Sequence, residues 1–272
     1  MLAPASILKY LVRRFLNPPS PEGPESEGYA RGLRYNELAV GSIVRKSHLL
    51  VDEGSYFVVN NAQTGIIETT NTGFVVTAPT LYLTNTADPA DPTAKSIGVD
   101  YVDLSVQTAG VTGTAVQGKA LALYLAKGNN YSSGGTDLSS KIVNVNPIRA
   151  VNSSIAKCYF GALTTTDLAV SKGNTRPIVG QRVYRMPVTA TTAPDVVGDR
   201  LRLEFGGVES EASGQFGTTG ALEANVFQTV MKMPPVLIPP GWSMALFTWD
   251  IVSGGTYGTG VTWLPEAGWW ER

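Results

Sequence analysis

Histidine and cysteine are almost missing from this chain: His48 and Cys158 are the only ones among 272 residues. A single cysteine rules out an intrachain disulfide framework, and one His with one Cys leaves too few soft ligands for a zinc site. A Ser-His-Asp or Cys-His mechanism would have to run through His48. That residue sits in Lys46-Ser-His-Leu and reads as an ordinary strand-end or loop residue. Cys158 lies in Ile155-Ala-Lys-Cys-Tyr-Phe160 and reads as a small buried hydrophobe. No Gly-x-Ser-x-Gly elbow and no phosphate-binding loop is present. Charge of either sign is also scarce in excess: 21 basic against 22 acidic residues give a net charge of -1. A nucleic-acid partner needs a concentrated basic surface, so none is expected. No run approaches the about 18 continuous apolar residues of a membrane span. The N-terminal residues lack the pattern of a secretory signal, so assembly in a cytoplasm is expected.

What is present favours strands. Gly and Pro number 29 and 17, Val and Thr are abundant, and apolar residues make up 43% of the chain. This is the composition of short strands and many turns around a full core, with one large all-β domain as the expectation. Strands are expected at 40–45, 54–59, 66–70, 74–77 and 80–84, the last four as a meander with Asn/Thr/Gly turns. Longer ones are expected at 98–107, 120–126, 154–163, 181–187, 200–205 and 222–230, with 129–135 a polar loop. In 200–205, Leu201, Leu203 and Phe205 alternate inward against Arg200, Arg202 and Glu204. The proline-flanked run Val236-Leu-Ile238 suits an edge or a sheet end rather than a central strand.

The most telling stretch follows the turn Pro239-Pro240-Gly241. In Trp242-Ser-Met-Ala-Leu-Phe-Thr-Trp249, Trp242, Met244 and Leu246 share one face, and Ala245, Phe247 and Trp249 share the other. A strand apolar on both faces is covered on both, by a second sheet, another chain, or one of each. Trp242, Phe247, Trp249, Trp269 and Trp270 are therefore assigned to core or oligomer contacts. The last two, near the C-terminus at Arg272, must pack on the body or into a neighbouring subunit.

Residues 1–36 read as a separate arm, and 37–272 as the β-sandwich body. Ile7, Leu8, Leu11, Val12 and Phe15 form the stripe of an amphipathic helix over 1–17, capped by Ser6 and stopped by Pro18-Pro19. A helix this short is marginal alone in water. Its stripe needs a groove on a partner, its own body, or a membrane surface; the first is adopted as the docking site. Residues 18–28, with four prolines among glutamates and serines, form an extended spacer of about 3 Å per residue.

No acid pair is convincing. Asp100 and Asp103 are odd-spaced, so in a strand they point to opposite faces. Glu204 lies on a polar strand face, Glu209 and Glu211 in a loop, and Asp88 and Asp91 in a rigid turn too poor in oxygen ligands for calcium. No catalytic, metal-binding or cofactor-binding residue is assigned, and no enzymatic activity is expected.

The Pro239-Pro-Gly-Trp242 turn entering a last core strand, the aromatic tail from Trp263 to Arg272, the 156–162 strand and the Thr/Asn/Gly-rich meander at 60–86 together resemble jelly-roll-type virion structural proteins of tailed bacteriophages. The resemblance covers residues 40–272 in pattern and composition. It implies an all-β, jelly-roll-like sandwich without enzymatic activity, forming a homo-oligomer, a trimer by preference, in the virion. Its implied role is capsid decoration or cement, with the major capsid protein as partner. A head-tail adaptor or fibre mount is the variant role. A carbohydrate- or receptor-binding module using Trp263, Trp269 or Trp270 is the alternative from another class, and a glycan hydrolase using the acids above is the third.

Overall fold

The computed structural model describes residues 31–32, 38–39, 50–68, 71–109, 116–166, 168, 174–185, 197–206, 211–216, 226–252 and 260–272. The helix expected over 1–17, its stripe, the spacer, the 40–45 strand and His48 lie outside them. The chain divides into two compact units, Met1–His48 and Leu49–Arg272. The first contains β1 (Arg31–Gly32) paired antiparallel with β2 (Leu38–Ala39).

The second unit is built of strands. In chain order they are β3 (Tyr56–Asn60), β4 (Ile66–Ile67), β5 (Leu81–Asn85), β6 (Ile97–Thr108), β7 (Val116–Lys127), β8 (Tyr131–Asp137), β9 (Ile142–Asn144), β10 (Ala156–Thr165) and β11 (Thr175–Arg185). They continue with β12 (Arg200–Phe205), β13 (Glu211–Phe216), β14 (Val226–Met233), β15 (Val236–Ile238), β16 (Trp242–Val252) and β17 (Thr262–Glu271). One sheet has the order β11-β7-β16-β5-β10-β8. The other has the order β13-β14-β12-β6-β17-β3-β9, with β15 on the start of β6 and β4 on the start of β17. All pairs are antiparallel except β12 with β14. The two sheets share one core. Leu81, Leu83, Leu121, Leu123, Met244 and Leu246 of the first meet Val102, Leu104, Leu201, Leu203, Trp263 and Trp269 of the second. The protein is thus mostly β, in a sandwich-like arrangement of two sheets.

β16 carries the two apolar faces that its alternation predicts. Met244 and Leu246 are in the inter-sheet core with Trp242 packed against it, and Ala245, Phe247 and Trp249 belong to a second cluster with Tyr82, Ala122 and Tyr159. The chain itself covers that second face. Residues 71–79 cross it as an irregular strap, in place of the strand expected at 74–77. Phe74 sets its ring 5.2 Å from Phe247 and 5.5 Å from both Trp249 and Tyr124. The strap is tied down by backbone bonds from Asp250 N to Asn71 O and from Thr165 N to Thr77 O, both 2.8 Å. A segment bonded to side-lying strand ends satisfies its backbone without a ladder of its own.

Three further expectations are corrected. The polar loop at 129–135 is largely β8, an edge strand on β10. Gly134 and Gly135 adopt positive φ there, and a Cβ on Gly134 would meet the Ala162 carbonyl oxygen at 2.3 Å. Glycine, usually a strand breaker, is what allows this close pairing. The aromatic tail from Trp263 is β17, a central strand between β6 and β3. Pro265 disguised it. That residue falls between the segment paired to β4 (Thr262–Trp263) and the segment paired to β3 (Glu266–Trp270), so its missing N–H costs no bond on that side. Finally, Asp100 and Asp103 do not point to opposite faces. The register against β17 slips between Gly268↔Tyr101 and Trp269↔Val99, which makes Asp100 the extra residue of a bulge. Val99 before it and Val102 after it both face the core.

Candidate functional site

The bulge gathers a polar cluster on the body. On the outer face of the second sheet, Asp100 accepts a hydrogen bond from Tyr56 Oη (2.7 Å), and Tyr101 Oη donates to Glu266 Oε1 (2.5 Å). Asp103 receives Arg200 Nε at 2.8 and 2.9 Å and Arg202 Nη1 at 3.1 Å. Arg202 lies over the Tyr101 ring, 4.7 Å from its centre, and also bonds Glu204, which pairs with Lys232. Asp100, Tyr101, Arg202, Glu204, Phe205, Gly206 and Lys232 line an open cleft of about 350 Å³. The parallel β12–β14 pairing sets Glu204 opposite Lys232 in register. Gly268 makes room for this layer: a Cβ there would meet Tyr101 at 2.4 Å and Tyr56 Oη at 2.8 Å.

The cleft offers both signs of charge, and its acids are spoken for. Asp100 and Glu266 are held by phenols, Asp103 and Glu204 by cations. Burial first, and then the bonded carboxylate, pushes the Tyr56 and Tyr101 hydroxyls well above the usual phenol range. Each of these carboxyls is tied to a partner on a neighbouring strand or residue, which makes the cleft a cross-linked polar surface.

The tryptophans separate by face. Trp263 and Trp269 are buried in the core, donating to Glu68 Oε2 (2.8 Å) and Glu271 Oε1 (3.0 Å). They are closed to a sugar, which removes two of the three proposed for glycan binding. Trp270 is half-buried on the outer face and lies across Gly98, where a Cβ would meet its ring at 2.1 Å. Trp242 is half-buried beside Arg176, whose guanidinium lies 5.6 Å from the ring centre. Phe247 and Trp249 are beneath the strap.

Of the remaining candidates, Asp88 and Asp91 are turn formers. Asp88 accepts from Ala90 N, and Asp91 from both Thr93 N and Thr93 Oγ1. Glu211 opens β13, and Glu209 lies outside the described residues. Among the described residues no three His, Cys, Asp or Glu side chains cluster as metal ligands. Cys158 is fully buried; burial, with the Asp137 carboxylate adding to it, pushes its thiol up to about 12.

These shifts set an alkaline limit. Cys158, Tyr56, Tyr101 and Tyr82 all hold their protons to higher pH in the fold than in the unfolded chain, where thiol and phenol titrate near 9 and 10. Their contribution is complete below about pH 9 and is lost as pH rises through the folded values. Denaturant midpoints should therefore hold up to about pH 9 and fall above it. A midpoint that stays constant well above about pH 10 would contradict this.

A different kind of surface lies at the free edge of the second sheet. Val143, Val145, Ile148 and Val151, on and after β9, are 54, 41, 88 and 88% exposed. No strand pairs the outer edge of β9 among the described residues. Asn146 caps the short 3-10 turn Pro147–Arg149 by accepting from Ile148 N at 3.0 Å, which holds Ile148 outward on a fixed turn. Its own amide group donates to Val51 O at 3.0 Å. Sequence reading passed over this run because its valines alternate with asparagines.

No family model, no curated protein and no solved structure matches the chain.

Proposed function

We propose that this chain is a structural protein of a tailed-phage particle, a capsid decoration or cement protein that works as a homo-oligomer, with three copies as the favoured number. The observation that carries the reading is the apolar run Val143, Val145, Ile148 and Val151 beside the edge of β9 that no described strand pairs. Single exposed apolar side chains need no explanation, but a group of them next to an unpaired edge forms a surface that is stable only when covered. A second copy of the chain is the proposed cover, in a ring closed by body-to-body contacts. The winding supports a jelly roll in part. β16, the last strand of the first sheet, lies between β5 and β7, with β11 beyond, while β8 and β10 on the far side of β5 depart from the simple form.

Attachment to the major capsid protein is assigned to the arm. Burying Ile7, Leu8, Leu11, Val12 and Phe15 in a groove contributes on the order of 5–10 kcal/mol before ordering costs.

Two experiments test the two halves. Light scattering at micromolar concentration should give a multiple of the chain mass for the wild type and the single mass for Ile148→Asp with Val151→Asp. The variant should still unfold cooperatively, at a midpoint that no longer depends on protein concentration, because losing the partner copies removes only the stabilisation that assembly adds. A wild type that is monomeric in solution and in the particle would sink the oligomer. Deleting residues 1–28 should leave a folded body that no longer binds particles stripped of this protein, and full binding by the shortened chain would show that the arm is not the anchor.

A second reading, a carbohydrate- or receptor-binding module, draws on Trp270, which lies across Gly98 on the same outer face as the Tyr101 cleft. Glycan-array binding that disappears in Trp270→Ala would favour it.

A further inference from the structure

Where the first sheet meets the ends of β4 and β17, one amine and two carboxylates of the described residues are sealed from solvent. Lys119 on β7 and Asp250 on β16 are directly opposite each other in the strand register. They are 2 and 6% exposed, and Glu68, the residue after β4, is 6% exposed. Lys119 Nζ lies 2.8 Å from Glu68 Oε2 and 3.5 Å from Asp250 Oδ1. Glu68 is clamped in turn. Its Oε1 accepts from Thr248 Oγ1 at 2.7 Å, its Oε2 from Trp263 Nε1 at 2.8 Å, and Thr80 Oγ1 lies 2.6 Å from Thr248 Oγ1. The Trp263 ring lies under the amine, its centre 5.3 Å from Nζ. Backbone bonds hold both acids in place, Glu68 N to Val261 O at 3.0 Å and Asp250 N to Asn71 O at 2.8 Å.

Three charges in a dry site, one positive and two negative, are costly to hold as ions. Condensation of the amine with the carboxylate across the strands cancels one of each. The cross-strand register holds amine and acid side by side, which gives the pair a high effective concentration, and the closed site discourages water from reversing the step. We propose that Lys119 and Asp250 become joined by an intramolecular isopeptide bond, with Glu68 as the proton carrier. Glu68 takes a proton from the Lys119 ammonium. The freed amine attacks Asp250 Cγ, so that the Nζ–Cγ bond forms and a Cγ–O bond breaks. The departing oxygen leaves as water, with one proton from the attacking nitrogen and the one held by Glu68, which ends as the carboxylate it began as. Ammonium and carboxylate become amide and water, and no oxidant, cofactor or second protein is required. The product ties together β7 and β16, the second and third strands of the six-stranded sheet.

Intact-mass spectrometry of the purified full chain under denaturing conditions reads the bond directly. The wild type is expected below its sequence mass by one water molecule, and proteolysis should yield a branched peptide carrying both Lys119 and Asp250. Lys119→Arg, Asp250→Ala and Glu68→Gln should each restore the full mass expected for their sequences. Wild-type protein at its full sequence mass overturns the proposal whether or not any variant folds. So does a water loss that fragmentation maps to other residues. A branched peptide that survives in Glu68→Gln overturns the assignment of Glu68 as the carrier.

Discussion

Ending the chain at Val261 is expected to leave no folded body. The residues removed look like a short tail, but they are β17, which bonds β6 along one side and β4 and β3 along the other. Without it the second sheet is cut in two, and β3, with β9 beyond it, has no neighbour on its inner side. The core loses Trp263, Ala267 and Trp269 together. Losing a buried tryptophan side chain costs about 3–5 kcal/mol, and two such losses already reach the whole stability of an ordinary domain, about 5–15 kcal/mol. Buried acids are stranded as well. Glu68 loses the Trp263 donor, while Ser154 Oγ and Ile155 N lose Glu271, their acceptor at 2.5 and 3.2 Å. The truncated chain should be insoluble or show no cooperative transition in urea. A cooperative transition near the wild-type midpoint would mean that β17 is dispensable, contrary to its central place.

The strands of the body were legible where their alternation was clean. Leu201, Leu203 and Phe205 face the core as the spacing requires, and the two faces of β16 divide as its sequence does. What could not be read was anything that breaks the period of two. The bulge at Asp100 moves every later side chain of β6 by one place, so counting residues gave Asp100 and Asp103 the wrong relation. Glycine and proline misled for a related reason. They are turn formers by intrinsic preference, but Gly134, Gly135 and Pro265 lie in strands because a neighbour comes too close for a side chain, or because no ladder bond is needed. The strap was misread as a strand because Phe74, Val75 and Val76 have strand-like composition; only the tertiary structure shows that their partner is the outer aromatic face of β7 and β16. The Lys119, Glu68 and Asp250 cluster was invisible for the simplest reason: its members are far apart in the chain and meet only across the register of β7 with β16 and the end of β4.

Trp269 and Trp270, adjacent and identical in the sequence, should behave very differently when replaced. Strand alternation turns Trp269 into the core, where it is fully buried, and Trp270 outward across Gly98. Trp269→Ala leaves a cavity between the sheets and costs about 3–5 kcal/mol. It also removes the indole N–H that donates to Glu271 Oε1 at 3.0 Å. That carboxylate is 1% exposed, and its remaining donors are Ser154 Oγ and Ile155 N. Losing a donor to a buried charged group adds about 1–3 kcal/mol. Trp269→Phe separates the two contributions, because it keeps most of the volume and loses the donor, and it should lie between alanine and wild type. Trp270→Ala uncovers Gly98 and the outer face of β6 without opening the core. Its cost should be about 1 kcal/mol, in the range of ordinary half-exposed positions. Urea midpoints for the three variants, at unchanged slope, measure these differences. Equal losses at Trp269→Ala and Trp270→Ala would mean that β17 does not place one ring inside and the other out, and with that the register of β17 against β6 and β3 would fall.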